Sequence, residues 1–198
     1  MQFKPISNLI VIKREQSDST SKGGIIIPHT AQQKSIRAQV VATGPGKTLD
    51  NGVLIKNSVK ENDTVIIGQY TDEKITVKDD GQEFIFIQER DVLCIVEQIG
   101  DSVRLNPIGN LVMLKRVDSD AISKGGIIIP ESARPKSIKA EVVAVGPGRI
   151  YDSGMLVEPS VKVGDIAILS KWAAGDVMID GTEYTFIRET EIMGVYED

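Results

Sequence analysis

Apolar residues in this chain come in short runs, not long stripes. "NLIVIKR", "AQVVAT", "TVII", "FIFIQ" and "VLCIVE" are rich in Val, Ile and Thr, and Gly, Pro, Asn, Asp or Ser stands near their ends. That pattern reads as β-strands separated by turns. The first half predicts strands near Leu9–Lys13, Arg37–Thr43, Thr64–Ile67, Lys74–Val77, Glu83–Ile87 and Val92–Val96, and no 11-residue window sustains a helical period. Six short strands in about one hundred residues suggest a small antiparallel barrel, because closure removes the exposed edges that template aggregation. "TLDNGVL" and "IYDSGML" each hold a turn pair suited to a β-hairpin, Asn51-Gly52 and Ser153-Gly154.

The same pattern is written twice. A shift of 102 residues lays "PISNLIVIKR" on "PIGNLVMLKR", "SIRAQVVATGPG" on "SIKAEVVAVGPG" and "SVKENDTVII" on "SVKVGDIAIL". Between Pro5 and Ile66, 35 of 62 positions are identical to their partners. Further on the offset falls to 100, and "FIFIQERDVLCIVE" meets "YTFIRETEIMGVYE". A period near one hundred is a domain duplication and not a solenoid. It predicts modules at 1–98 and 99–198, joined by a short linker in "EQIGDSVRLN", Glu97 to Asn106.

Composition narrows the function. The chain has 198 residues, 41% hydrophobic and 26% charged, which suits two small domains better than one large one. Net charge is −5 and no basic block of five or six residues occurs, so neither a nucleic acid nor an anionic membrane surface is an expected partner. No apolar run approaches the ~18 residues of a bilayer span. The strand-like "FKPISNLIVIKR" close behind Met1 leaves no expectation of a signal or transit peptide. Cys94 is the only cysteine, which excludes an internal disulfide framework and fits a reducing, intracellular compartment.

One stretch breaks the strand pattern. "SKGGIIIP" occurs at Ser21–Pro28 and again at Ser123–Pro130, each time inside a polar segment of about twenty residues that no hairpin requires. Gly23-Gly24 and Gly125-Gly126 loosen the backbone before each triplet, and Pro28 and Pro130 stop ladder pairing after it. A buried extra strand is one reading of Ile25–Ile27 and Ile127–Ile129. The context favours the other, an apolar docking peptide on a mobile polar tether that orders on binding. Burying three Ile side chains yields about 4–9 kcal/mol gross. Ordering five or six residues costs about 1–2 kcal/mol each and consumes most of it. A single loop therefore binds weakly, and several on one assembly bind tightly a partner with repeated grooves.

Other features carry less. "GPGK" and "GPGR" read as turns, since neither P-loop spacing nor a following helix accompanies them. His29 is the only histidine and faces Glu131 in the repeat, so no His-based dyad or conventional zinc set can be assembled. Cys94, opposite Gly194, reads as a buried structural thiol. No catalytic residue, metal site or cofactor is predicted, and the chain is not expected to be an enzyme.

Taken together, "KPISNLIVIKR" and "NPIGNLVMLKR", the two "SKGGIIIP" loops, "AQVVATGPG" and "AEVVAVGPG", "VKEND" and "VKVGD", "ERDVLCIVE" and "ETEIMGVYE" resemble the GroES-type co-chaperonins, twice over and along the whole chain. The tandem form is similar to the double co-chaperonins of plastids. The resemblance implies an all-β chain of two tandem GroES-like small β-barrels, each with a long mobile loop and a roof β-hairpin. It implies that Ile25, Ile26, Ile27, Ile127, Ile128 and Ile129 bind the apical domains of a chaperonin, with Gly23, Gly24, Gly125 and Gly126 as loop hinges. Gly44–Leu54 and Gly146–Leu156 match the roof hairpin, with Asp50, Asn51, Gly52, Asp152, Ser153 and Gly154 at its tip. Tyr70 and Trp172 match a cavity-facing aromatic position, with a barrel-rim aromatic as the alternative.

The function implied is a lid that closes the folding chamber of an ATP-driven, nucleotide-bound GroEL-type ring and assists protein folding. The implied partner is seven-fold, and two does not divide seven. The expected assemblies are four chains in a closed ring, or three completed by a single-module co-chaperonin. The setting would be the cytoplasm of a bacterial-type cell or a plastid stroma. Two other functions are open at this point. A GroES-like barrel also serves in medium-chain dehydrogenases, but the dinucleotide-binding half is missing here. A tandem β-barrel peptide adaptor unrelated to chaperonins would use the same loops.

Overall fold

A computed structural model of the chain describes residues 3–15, 36–68, 75–79, 81–117, 137–170 and 175–196. The first half forms β1 (Leu9–Arg14), β2 (Arg37–Thr43), β3 (Lys47–Thr48), β4 (Leu54–Ile55), β5 (Thr64–Ile67), β6 (Ile75–Asp79), β7 (Gln82–Gln88) and β8 (Val92–Ile99). After β9 (Ser102–Pro107) the second half repeats the series as β10 (Leu111–Arg116), β11 (Lys139–Val145), β12 (Arg149–Ile150), β13 (Leu156–Val157), β14 (Ile166–Leu169), β15 (Asp176–Ile179), β16 (Thr182–Arg188) and β17 (Ile192–Val195). The helical pieces among the described residues are single 3₁₀ turns at Glu89–Asp91 and Glu189–Glu191. The fold is therefore all-β, two tandem domains built from one plan.

In the first domain the strands lie in the order β6-β7-β1-β2-β5-β8-β9, and in the second in the order β15-β16-β10-β11-β14-β17. Pairing is antiparallel throughout the measured registers. Strand β2 alternates, with Ala38, Val40 and Ala42 buried and Gln39 and Val41 outward. The first core gathers Ile10, Ile12, Val40, Val65, Ile67, Ile87 and Val92, all fully buried. The second packs Val112, Leu114, Ala140, Val142, Val161, Ala167, Leu169 and Ile187 in one cluster. Irregularities repeat as well. The β1–β2 register skips Val41 between Val11 and Ile12, and the β10–β11 register skips Val143 between Met113 and Leu114. One extra residue on a strand is a β-bulge, which bends the sheet at the same place in both copies.

The joint between the halves departs from the expected linker. Ile99 ends β8, Gly100 adopts φ +59° and Ser102 opens β9, which runs back beside β8 as a further strand. The segment is a two-residue-turn hairpin and not an extended tether. The first compact unit runs through Leu105 and also takes in Asp152–Met155, and the second begins at Asn106.

Candidate functional site

The long polar segments occupy one position in the fold. Each leaves the end of a strand and returns into that strand's antiparallel neighbour, β1 to β2 and β10 to β11. Arg14 stands opposite Ala38 and Arg116 opposite Ala140. The feet are closed by backbone bonds from Glu15 N–H to the Arg37 carbonyl and from Val117 N–H to the Lys139 carbonyl, both 3.0 Å. Ile25, Ile26, Ile27, Ile127, Ile128 and Ile129, the glycines Gly23, Gly24, Gly125 and Gly126, and Tyr70, Trp172 and His29 all lie outside the described residues.

At the opposite end of the same strand pairs stand the Gly-Pro-Gly turns. Gly44 N–H donates to the Leu9 carbonyl at 2.9 Å and Gly46 N–H to the Ser7 carbonyl at 3.0 Å; Gly146 and Gly148 donate likewise to Leu111 and Gly109, both at 2.9 Å. These amides are engaged by the chain itself, as a turn requires. Side chains would not fit here. A Cβ on Gly44 would lie 2.2 Å from the Ser7 carbonyl oxygen, and one on Gly146 2.3 Å from that of Gly109.

From each turn rises a short hairpin, β3 with β4 and β12 with β13. In the first, Leu49 N–H bonds to the Val53 carbonyl and Gly52 N–H to the Leu49 carbonyl, both 2.9 Å, and Gly52 has φ +84°. Asp50, Asn51 and Gly52 thus make a three-residue loop with glycine in the left-handed position, where the sequence suggested a two-residue pair. Asn51 Oδ1 accepts the Val53 N–H at 3.0 Å, and Ser153 Oγ accepts the Met155 N–H at 3.3 Å. Gly154 has φ +86°. Asp50, Asn51, Gly52, Asp152 and Ser153 are exposed and Gly154 half-buried. The flanks are apolar and open, with Leu54 47%, Met155 60% and Leu156 49% exposed.

Two supports escaped the sequence reading. Glu89 accepts the backbone N–H of Ser58, and Glu189 Oε1 accepts both the N–H (2.6 Å) and the hydroxyl (2.5 Å) of Ser160. Asp63 and Asp165 cap the turns at Lys60 and Lys162, at 2.7 and 2.8 Å. These acceptors and their serine and lysine partners are identical in the two copies, which was the available signal. Cys94 is fully buried opposite Ile66, and burial pushes its thiol up to about 12. A thiol so held is protonated and unreactive at neutral pH. No group of three or more His, Cys, Asp or Glu among the described residues is arranged to hold a metal ion.

Two loop feet in one register, two glycine turns bonded back to the first strand and two short hairpins now stand in the same order in each half. The family model for the chaperonin 10 Kd subunit matches that double plan at residues 2–96 and again at 104–196. The chain belongs to this co-chaperonin family. It is 30% identical over 194 residues to the 20 kDa chloroplastic chaperonin of Spinacia oleracea, covering 97% of this chain and 74% of that one. Against the corresponding Arabidopsis thaliana protein the identity is 28%, with 98% and 75% covered. The co-chaperonin GroES of Parvibaculum lavamentivorans is 46% identical over 95 residues, 48% of this chain and 90% of that one.

Proposed function

We propose that this co-chaperonin is a non-enzymatic double-module lid. It docks on the apical domains of a nucleotide-bound GroEL-type chaperonin ring through Ile25–Ile27 and Ile127–Ile129 and closes the folding chamber. ATP hydrolysis then belongs to the ring. The observation that carries this reading is the repeated register of the loop feet. Identical "SKGGIIIP" segments leave identical points of two sheets, as a multivalent partner with repeated grooves requires. The Gly44–Leu54 and Gly146–Leu156 hairpins form the roof, and the relatives' compartments support a plastid stroma or a bacterial-type cytoplasm as the setting.

Assembly follows from the sheet edges. Strand β9 lies against β8, and Leu93, Ile95 and Val96 are half-buried. Their counterparts on and just after β17 are open, Met193 at 73%, Val195 at 37% and Tyr196 at 47%, and the sheet order ends at that strand. The part played by β9 falls to the N-terminal segment of a second copy, whose Phe3–Pro5 correspond to Leu105–Pro107. Chains then join head to tail, four in a closed ring or three completed by a single-module co-chaperonin.

The deciding experiment replaces all six isoleucines with Ser and measures capture by a chaperonin ring in ATP or ADP. Binding is expected to vanish while the far-ultraviolet β signal stays. Loss of both together would make the triplets core strands, and retained binding would refute the docking reading.

A further inference from the structure

We propose that Asn51 and Gly52, at the tip of the β3–β4 hairpin, form a self-modifying site: the Gly52 amide nitrogen attacks the Asn51 side chain, and the asparagine becomes aspartate or isoaspartate. The second hairpin, with Ser153-Gly154 at its tip, cannot follow. This chemistry does not depend on the docking function proposed above.

The chain has six asparagines, and only Asn51 precedes a glycine. Asn51 and Gly52 are both exposed, and nothing lies within 4 Å of the place a Gly52 Cβ would take, which leaves room for a ring to close. The side chain is already folded over its successor. Asn51 Oδ1 accepts the Val53 N–H at 3.0 Å, and the circuit of atoms closed by that bond contains both the carboxamide carbon and the Gly52 nitrogen. Attack on that carbon puts negative charge on Oδ1, where the Val53 N–H already stands as a donor. One bond opposes the reaction. Gly52 N–H donates to the Leu49 carbonyl at 2.9 Å, and its release needs only local opening of a hairpin whose strands have two residues each.

Two neighbours mark the contrast. Asn57 Nδ2 donates to the Gly44 carbonyl at 3.2 Å, and the amide that would attack its side chain, Ser58 N–H, is held by the Glu89 carboxylate. Ser153 Oγ accepts the Met155 N–H at 3.3 Å in the same kind of turn, but a hydroxyl offers no carbonyl carbon. The step balances without a redox partner. Gly52 N gives its proton to solvent base and bonds to Asn51 Cγ; the bond from Cγ to the side-chain nitrogen breaks, and ammonia leaves behind a succinimide ring. Water then opens the ring. Breaking the new Cγ–N bond gives aspartate, whereas breaking the original main-chain bond gives isoaspartate, whose backbone is one methylene longer. Either product adds one negative charge to the net −5. Aspartate keeps an acceptor for the Val53 N–H. Isoaspartate lengthens the path from Leu49 to Val53 and so pulls apart the 2.9 Å bond between the Leu49 N–H and the Val53 carbonyl.

The test holds the full chain at mildly alkaline pH, native and in urea, and maps its tryptic peptides for a gain of about one dalton, the exchange of ammonia for water. The peptide Thr48–Lys56 contains Asn51 and no other asparagine, and Asn57 falls in the next. In the native chain Asn51 is expected to convert about ten-fold faster than Asn57 or more, and within about ten-fold of its own rate in urea, because the hairpin opens locally. Native Asn51 left intact while the urea sample converts, or Asn57 converting equally fast in the native chain, would overturn the proposal. Asn51→Ser, the residue of the second hairpin, is expected to abolish the gain in this peptide, and a gain that persists would refute the site. Ion exchange separates converted chains by charge. The Leu49 amide is expected to exchange about ten-fold faster or more in the isoaspartyl fraction, while Asn51→Asp leaves it within about two-fold. Unaltered exchange in the isoaspartyl fraction would refute the consequence for the hairpin.

Discussion

Gly46 and Gly148 show how backbone geometry fixes residue identity here. Both have strongly positive φ, +116° and +121°, and a Cβ would lie 2.0 Å from the Ile55 carbonyl oxygen in one and 2.2 Å from that of Val157 in the other. At Gly52 φ is +84°, yet nothing lies within 4 Å of the missing Cβ. The two sites separate conformational strain from collision. Gly52→Ala is expected to cost about 1–2 kcal/mol, the left-handed penalty alone. Gly46→Ala is expected to cost more, because the hairpin must also move away from the turn. Denaturant midpoints at unchanged slope decide it, and equal losses would refute the collision. Cys94 makes a second prediction at this scale. Its thiol is raised from 9.0 to about 12 by burial, partly offset by a backbone hydrogen bond from Ile66 and by the charge of Arg37. The folded state therefore holds the proton more tightly than the unfolded chain does. That contribution to stability is complete below pH 9.0 and is lost as pH rises toward 12. Thiol reagents are expected to label Cys94 at neutral pH only as fast as the domain unfolds, and prompt labelling of native protein would contradict its burial.

At the scale of elements, the six strands expected in the first half all form within two or three residues of the expected ends. Val, Ile and Thr runs with buried alternation are legible because the pleat imposes a two-residue period. The short pieces were not. Strands β3, β4, β12 and β13 have two residues each, too few to show any period, and only their turn residues announced them. The β15–β16 connection had a stronger signal. Asp180 and Gly181 both take positive φ, +48° and +82°, the two-residue turn that an Asp-Gly pair favours. The loops between the paired feet belong here too. In the free chain, amides between Glu15 and Ser35 and between Val117 and Ser137 are expected to exchange quickly, and the chaperonin complex is expected to protect them. Strong protection in the free chain would refute the tethered-peptide reading.

For the whole molecule, the duplication was visible because 35 of 62 positions match. The joint was not, because "EQIGDSVRLN" has the composition of a linker. What folds it is the edge of β8, which sequence alone does not display. The other edge supplies a prediction. Tyr196 N–H bonds to Ile166, and Val195 stands opposite Ala167, so the Val195 N–H points away from β14 toward the open side. Val195→Pro would remove a donor from the outer edge and leave the β14–β17 ladder intact. Native mass spectrometry is expected to show wild-type assemblies of four chains, or of three with a single-module partner, and the variant as folded single chains. Assemblies unaffected by the proline would exclude β17 as the joint.

The β8–β9 hairpin also changes what dilution does. Within one chain that edge closes without a second-order encounter, so its occupancy does not depend on protein concentration. The β17 edge is the one proposed to take up another molecule. In the proposed head-to-tail assembly, dilution toward dissociation therefore removes modules in covalent pairs, and every partial assembly of such chains alone holds an even number.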